Sequence, residues 1–169
     1  MKKYELTDET IEVYGTALHR IKALKDFGNV KKGELGGYVE SERNLSQEGN
    51  CWVYGNAWVY GNAWVCGNAE VCGNAKVYGN AWVYGNAEVC GNARVYGDAD
   101  YITIKGLGSK YRNTTIFRTK ENIAVKCGCF YGTLAEFVDK VKETHGNSKF
   151  TKEYLALIDL VKIHFELEE

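Results

Sequence analysis

The chain has 169 residues, 45% apolar and 25% charged, which suits one ordinary globular domain or two small ones. Its 19 glycines come with no proline, which excludes a collagen-like chain, and an aromatic content of 13% argues against disorder. The formal net charge of −1 argues against a coat for a nucleic-acid polymer, because phosphate neutralisation needs a basic excess. No apolar run approaches the roughly 20 residues that cross a bilayer, and the N-terminus lacks a signal-peptide core. We therefore expect a cytoplasmic protein without a membrane partner.

Six cysteines and three histidines limit the metal and redox chemistry. In a chain without an export signal, the cysteines are expected to be reduced thiols rather than a disulfide frame. Cys127 and Cys129 are separated by one residue and no second pair follows, which is poor spacing for zinc. The sequence therefore predicts no metal site and no bound cofactor.

Residues 1–34 are expected to form an N-terminal β cap. Two strand-like runs, at residues 10–16 and 18–24, lie close to Gly15, which favours a turn. These runs predict a β-hairpin.

The middle of the chain repeats every six residues from Val53 to Asp100, as VYGNAW, VYGNAW, VCGNAE, VCGNAK, VYGNAW, VYGNAE, VCGNAR and VYGDAD. Self-similarity at a fixed period dictates architecture, and six residues suit one short strand plus one tight corner. The β-branched valine suits an inward strand position, the small alanine fits inside near a corner, and Gly-Asn supplies the turn. Three units then close one triangular coil of eighteen residues, which stacks Asn56, Asn74 and Asn92 at one corner and predicts an amide ladder there.

This repeat resembles the hexapeptide-repeat family of left-handed parallel β-helices, whose signature is an aliphatic residue followed four positions later by a small one. The pairs from Val53/Ala57 to Val95/Ala99 match eight times, whereas Tyr or Cys at the second position departs from the family's frequent Gly or acidic residue. The pattern decays on both sides, so residues 35–106 are expected to make about four triangular coils, with a last strand at 101–104. The left-handed winding is implied by the resemblance and not by the period.

The residues before and after each valine should point outward, and residues eighteen apart should stack on one face. The first face, which we call the aromatic-basic wall, interleaves aromatic rings with two cations. Aromatic planes stack a nucleobase and cations pair with phosphates, so this wall is the candidate binding site for a small anionic, nucleotide-like ligand, with simple interface packing as the alternative. Its residues are Trp58, Tyr60, Lys76, Tyr78, Arg94 and Tyr96.

The second face, the tryptophan wall, is the candidate for a subunit contact or for packing of the C-terminal helices. Exposed aromatic surface of this extent should be covered, and β-helices of the family that the repeat resembles pack as trimers, so a homotrimer is expected. Its residues are Trp64, Trp82, Tyr84 and Ile102, beside Cys66. The third face, the acidic wall, carries Trp52, Glu70 and Glu88 beside Tyr54, Cys72 and Cys90.

Residues 107–169 are expected to form a small α+β unit, a hairpin plus two helices. Residues 114–119 and 122–127 are strand-like. Thr133 and Glu136 form a capping box before a helical pattern that Gly146 ends, and a last helix is predicted from about Thr151.

An enzymatic role is weighed against the position of the histidines. Many hexapeptide-repeat proteins are coenzyme A-dependent acyltransferases with a histidine general base, yet no histidine lies between His19 and His145. The sequence therefore predicts no catalytic residue and a protein that is not an enzyme. A thiol nucleophile pair of Cys129 and His145 is the weaker alternative.

The parts together resemble phage and prophage proteins of poorly defined function. The resemblance rests on GELGGYVES at 33–41, the GNA repeat, CGCFYGTLAEF at 127–137 and ETHG at 143–146. It implies an accessory role in an infected or lysogenic bacterium, and counter-defence by sequestering a host nucleotide signal is an analogy from that context. The sequence thus favours a trimeric, non-enzymatic binding protein, with an acyltransferase-like enzyme and a structural assembly scaffold as the alternatives.

Overall fold

A computed structural model describes residues 1–168, and the fold is mainly β with two helices in its C-terminal part. The chain begins with a hairpin of β1 (Tyr4–Val13) and β2 (Thr16–Ala23), which turns at Tyr14 and Gly15, both at positive φ. β3 (Leu35–Val39) pairs antiparallel with β2 on one side and parallel with a repeat strand on the other. The predicted hairpin at Gly15 is therefore confirmed, and it extends the sheet of one solenoid wall.

The repeat forms eight two-residue strands, and five parallel pairings join strands that lie eighteen residues apart. They are β4 (Trp52–Val53), β5 (Trp58–Val59), β6 (Trp64–Val65), β7 (Glu70–Val71), β8 (Lys76–Val77), β9 (Trp82–Val83), β10 (Glu88–Val89) and β11 (Arg94–Val95). The three walls are the sheets β4-β7-β10, β5-β8-β11 and β6-β9, with β3 beside β5. The regular solenoid makes about three turns.

The solenoid core consists of the repeat valines and alanines. Every valine from Val53 to Val95 is 0% exposed, and every alanine from Ala57 to Ala93 is at most 1% exposed. Glycine is required at the corners: Gly73 has φ +67°, and a Cβ there would lie 2.9 Å from the amide nitrogen of the glycine in the next turn.

Asparagine ladders form at two corners of the solenoid. The side-chain amide of Asn62 donates to Asn80 at 3.2 Å, and that of Asn68 donates to Asn86 at 3.4 Å. The sequence predicted such a ladder at the third corner, of Asn56. There the Arg94 guanidinium instead donates to corner carbonyl oxygens.

The N-terminal segment covers one end of the solenoid and buries the side chain of Trp52. The sequence placed this side chain on the outside of the acidic wall, but it is fully buried, with edge-to-face contacts to Tyr4 at 6.0 Å and Phe27 at 5.3 Å. The buried ammonium of Lys3 donates to the carbonyl oxygens of Cys51 at 2.9 Å and Glu48 at 3.3 Å. Trp52 keeps its predicted place on the acidic wall, in register with Glu70, but the N-terminal segment covers it, which the period could not show.

The C-terminal part is a four-stranded antiparallel sheet with two helices. Its strands are β12 (Tyr101–Leu107), β13 (Arg112–Arg118), β14 (Ile123–Cys127) and β15 (Phe130–Thr133), followed by α1 (Leu134–His145) and α2 (Lys149–His164). The capping box of Thr133 and Glu136 and the helix end at Gly146 are confirmed, whereas α2 begins two residues before Thr151. No helix among residues 1–168 is long and apolar enough to span a membrane.

The antiparallel sheet closes the other end of the solenoid. Tyr101 and Phe117 join the solenoid core, and the Tyr101 hydroxyl donates to the carbonyl oxygen of Trp82 at 2.6 Å. The prediction that residues 101–104 continue the coil was wrong, because β12 pairs antiparallel with β13. In β12, Tyr101 still packs into the solenoid core, but the strand pairs with β13 and not with a strand of the coil.

Two of the six cysteines form a disulfide, which corrects the expectation of reduced thiols. Cys72 and Cys90 are eighteen residues apart and follow β7 and β10 on the acidic wall. Their Cα atoms are 4.6 Å apart, within the range that a disulfide requires. Reduced thiols were expected because the sequence has no export signal. The eighteen-residue period of the coil, however, places Cys72 and Cys90 next to each other on one wall.

Thiol titration tests this crosslink. Denatured protein purified without reductant should show four free thiols, and six after reduction. Replacing both residues, as Cys72→Ser with Cys90→Ser, should lower the free energy of unfolding by about 2–4 kcal/mol, since the crosslink restricts the unfolded chain. Cys66→Ser, on another wall, is the matched control and should leave both the crosslink and most of the stability intact. Six thiols before reduction would contradict the crosslink.

Candidate functional site

The aromatic-basic wall contains two columns of stacked side chains. Trp58 pairs in register with Lys76, and Lys76 pairs with Arg94. The Lys76 ammonium lies 3.9 Å from the centroid of the Trp58 ring, a cation–π contact. Beside them, the ring centroid of Tyr78 lies 5.4 Å from that of Tyr60 and 5.2 Å from that of Tyr96. The structure thus brings together all six residues that the sequence placed on this wall.

Positive charge converges at the C-terminal end of this wall. Burial lowers the pKa of Lys76 below its usual range, and the positive charges of Arg94 and Lys120 lower it further. Within residues 1–168, none of these three cations forms an ion pair. An anion that entered here would therefore meet three cations that no ion pair neutralises.

Arg94 is held in place by the corner of the solenoid. Its Nη1 donates to the carbonyl oxygens of Ala93 at 3.0 Å, Asn74 at 3.3 Å and Asn92 at 3.4 Å. Only one of its terminal nitrogens makes these bonds, so the planar guanidinium retains donors for a carboxylate or a phosphate.

A hollow of about 550 Å³ lies beside Arg94, between the solenoid corner and the C-terminal sheet. Lys120, Asn122 and Tyr131 line it from the C-terminal side. Two carboxylates, Glu121 and Glu136, also line it. The Glu136 carboxylate accepts hydrogen bonds from the backbone and hydroxyl of its helix cap, and the backbone N–H bond lowers its pKa most. The sequence carries no signal for Lys120 at this site, because the position of Lys120 beside Arg94 depends on how the two parts pack.

The other end of the aromatic-basic wall is covered. Trp58 and Tyr60 pack against a small cluster of Val13, Leu18 and Tyr38 formed by the N-terminal hairpin and β3. The accessible part of the candidate site is consequently its C-terminal half, where the Tyr96 side chain is 59% exposed.

The tryptophan wall exposes three of its four predicted residues. Trp64, Trp82 and Tyr84 are exposed by 36%, 52% and 58%, and the two indoles make an edge-to-face contact at 5.5 Å. Ile102, which the sequence grouped with them, packs against the C-terminal core. The accessible surface of this wall is therefore aromatic. Of the two roles predicted for the wall, a subunit contact or packing of the C-terminal part, Ile102 has the second.

The alternative thiol pair lies in a second cavity. Cys129 and His145 both line an opening of about 520 Å³ in the C-terminal part. The His145 ring stacks on the Tyr154 ring, with the ring centroids 6.0 Å apart. Among residues 1–168, no group of three or more histidine, cysteine or acidic side chains is placed to hold a metal ion.

The stacked walls around a valine and alanine core make this chain a β-solenoid repeat protein. Residues 53–67 match a family model described as "YdcK Beta solenoid repeat". Over 62 residues, the chain is 40% identical to a protein named "Uncharacterized acetyltransferase YdcK" from Escherichia coli (strain K12). That match covers 32% of this chain and 19% of the relative, so the chain spans about a fifth of the relative's length.

Proposed function

We propose that this β-solenoid is a non-enzymatic binding protein that holds a small anionic, nucleotide-like ligand at the C-terminal half of its aromatic-basic wall. The observation that carries this proposal is the convergence of Lys76, Arg94 and Lys120, without ion-pair partners among the described residues, beside the tyrosine column. A nucleotide matches both features of this wall, because its phosphates pair with the cations and its base stacks on an aromatic ring. The exposed Tyr96 offers that ring.

The size of the neighbouring hollow supports a small ligand. About 550 Å³ lies within the range of small-molecule sites, and the hollow opens next to the retained donors of Arg94. Asn122 adds an amide that both donates and accepts hydrogen bonds, which suits the edge of a nucleobase.

We further propose a homotrimer of left-handed coils, about four in number when the degenerate units from Leu35 are counted with the regular turns. The exposed tryptophan wall supplies the apolar surface for the subunit contact, and a neighbouring subunit would close the open side of the hollow. The sequence resembles phage and prophage proteins. By analogy with them, such a trimer acts in the cytoplasm of an infected or lysogenic bacterium, as an accessory protein that sequesters a nucleotide signal of the host.

A second candidate is an acyltransferase, which the similarity to a protein named as an acetyltransferase favours. The histidine positions weigh against it. The His19 ring nitrogen lies 3.2 Å from the carbonyl oxygen of Thr7 in the N-terminal hairpin, and that of His164 lies 2.7 Å from the carbonyl oxygen of Ala99. Neither ring contacts the aromatic-basic wall, so no histidine base for coenzyme A chemistry is placed there among the described residues. Turnover of acetyl-coenzyme A with an amine or alcohol acceptor would favour this candidate over binding.

A structural scaffold is the third candidate, and the covered ends of the solenoid weigh against it. Tyr4 and Trp52 close one end, and Tyr101 and Phe117 close the other. End-to-end stacking of coils into a filament needs open strand edges, which both caps cover. Filaments that grow with protein concentration would favour the scaffold.

Release of bound nucleotide tests the binding proposal. Purified protein is incubated with a mixture of cyclic mono- and dinucleotides, freed of unbound ligand and denatured, and the released molecules are identified by mass spectrometry. We expect an intact nucleotide. Arg94→Gln should weaken its binding about tenfold or more, since hydrogen bonds to a charged group contribute about 1.5–3 kcal/mol. Tyr96→Leu should weaken binding through lost stacking.

Lys152→Gln removes one positive charge from an exposed position on α2 and is the matched control, with unchanged binding expected. The proposal fails if no nucleotide is retained, or if Arg94→Gln and Tyr96→Leu bind as well as the wild type.

The trimer is tested by measuring mass in solution. Sedimentation equilibrium should give three times the chain mass of 19.0 kDa. Trp82→Ser should shift the protein to monomers, because the exposed indole would supply a large share of the apolar contact. Leu160→Ser, which removes a comparably exposed apolar side chain from α2, should leave the trimer intact. A wild-type monomer would contradict the trimer.

A further inference from the structure

The C-terminal part contains a second open cavity, of about 520 Å³, whose lining shares only Tyr131 with the hollow beside Arg94. The segment between β12 and β13, the segment between β14 and β15, and the two helices contribute its lining. Its floor is aromatic: the Phe137 ring centroid lies 5.3 Å from those of both Phe130 and Tyr154. The His145 ring stacks on the Tyr154 ring at an interplanar angle of 22°. The Phe137 and Tyr154 rings meet edge to face, at an interplanar angle of 87°, so an aromatic ligand that stacks on one of them also contacts the edge of the other.

The rim of this cavity is positively charged. Lys110, Arg112 and Lys140 line it, and none of the residues that line it is a carboxylate. Lys140 lies 3.0 Å from Glu143, but this pair is exposed and such pairs contribute little, so the ammonium stays available. The electrostatic preference of the cavity is therefore for an anion.

The backbone makes room for Arg112 at the rim. Gly128 has φ +57°, and a Cβ at this position would lie 2.7 Å from Nη1 of Arg112. Arg112 forms no ion pair with any residue in 1–168, so its guanidinium keeps its charge for a ligand. A planar guanidinium binds a carboxylate or a phosphate through two parallel hydrogen bonds.

Two polar groups on the floor of the cavity, the Tyr154 hydroxyl and the Cys127 sulfur, have hydrogen-bond partners within the protein. The Tyr154 hydroxyl donates to the carbonyl oxygen of Leu107 at 3.3 Å, and burial raises the pKa of Tyr154 to about 12, so the phenol stays neutral at physiological pH. The thiol of Cys127 accepts a hydrogen bond from Thr114 at 3.3 Å. An apolar aromatic body can thus cover the Tyr154 hydroxyl and the Cys127 sulfur without breaking their hydrogen bonds.

We propose that this cavity is a second binding site, for a small planar aromatic anion whose ring lies on the floor formed by Phe137 and Tyr154 and whose negative group pairs with Arg112 and Lys140. The site lies within the C-terminal part and does not depend on the nucleotide proposal for the solenoid wall.

Protection of Cys129 from alkylation tests this site. This exposed thiol lines the cavity, whereas the partly exposed thiol of Cys66 lies on the solenoid and serves as an internal control. The probe is 1-naphthoate, the matched neutral ligand is 1-naphthamide, and peptide mass spectrometry follows the reaction of each thiol with iodoacetamide. We expect 1-naphthoate at up to about 10 mM to slow alkylation of Cys129 at least threefold and to leave Cys66 unchanged. The amide should protect much less.

Two variants locate the anionic group. Arg112→Gln and Lys140→Gln should each raise the concentration needed for protection about tenfold, because each removes a charge-assisted hydrogen bond. Lys142→Gln, on the same helix but outside the cavity, should leave protection unchanged. The rate of Cys129 alkylation without ligand shows whether each variant keeps the native fold around the thiol.

The site is overturned by any of three outcomes. The first is no protection by 1-naphthoate at the highest concentration. The second is equal protection by the acid and the amide, which would show a merely apolar cavity. The third is full protection in both Arg112→Gln and Lys140→Gln. None of these outcomes affects nucleotide release from the solenoid wall, so the two sites fail or succeed separately.

Discussion

The whole molecule depends on an eighteen-residue register that the inward valines and alanines impose on the backbone. Hydrogen bonds join each turn to the next, as from the Trp58 amide to the carbonyl oxygen of Ala75 at 2.9 Å, and glycine corners at positive φ let the turns approach closely. Because the core positions repeat, any outward residue that recurs at this spacing becomes a column. The tyrosine column, the pair of Lys76 and Arg94 and the crosslink between Cys72 and Cys90 all follow from this one constraint.

The caps decide which parts of these columns remain accessible. The N-terminal hairpin and β3 cover the first turn of the aromatic-basic wall, so its free end lies towards Arg94, where the C-terminal part adds Lys120. The same C-terminal part takes Ile102 into its own core and leaves Trp64 and Trp82 exposed. One wall is thereby left as a candidate for contact between subunits, and another as a candidate for ligand binding.

The sequence predicted the repeat, its inward residues and, except for Ile102, which residues share a wall, because a strict period fixes the position of each residue in the coil. It failed where packing between parts decides: Trp52 lies under the N-terminal cap, and β12 turns Tyr101 into a capping residue. The prediction that Cys72 and Cys90 are reduced was also wrong. It relied on the cellular compartment, whereas the period places both residues in one column. The sequence of the C-terminal part has no repeat, and the residues at the rim of its cavity come from separate strands and a helix. This cavity could therefore not be predicted before the fold was known.

The register itself is tested most directly by introduced cysteine pairs in a Cys66→Ser, Cys72→Ser and Cys90→Ser background. Tyr78→Cys with Tyr96→Cys places the thiols eighteen residues apart on one wall, while Tyr84→Cys with Tyr96→Cys places them twelve apart on different walls. A disulfide needs Cα atoms within about 7 Å, so under mild oxidation only the first pair should crosslink within the chain, as read by peptide mass spectrometry. Crosslinking of the second pair, or failure of the first, would contradict the eighteen-residue stack.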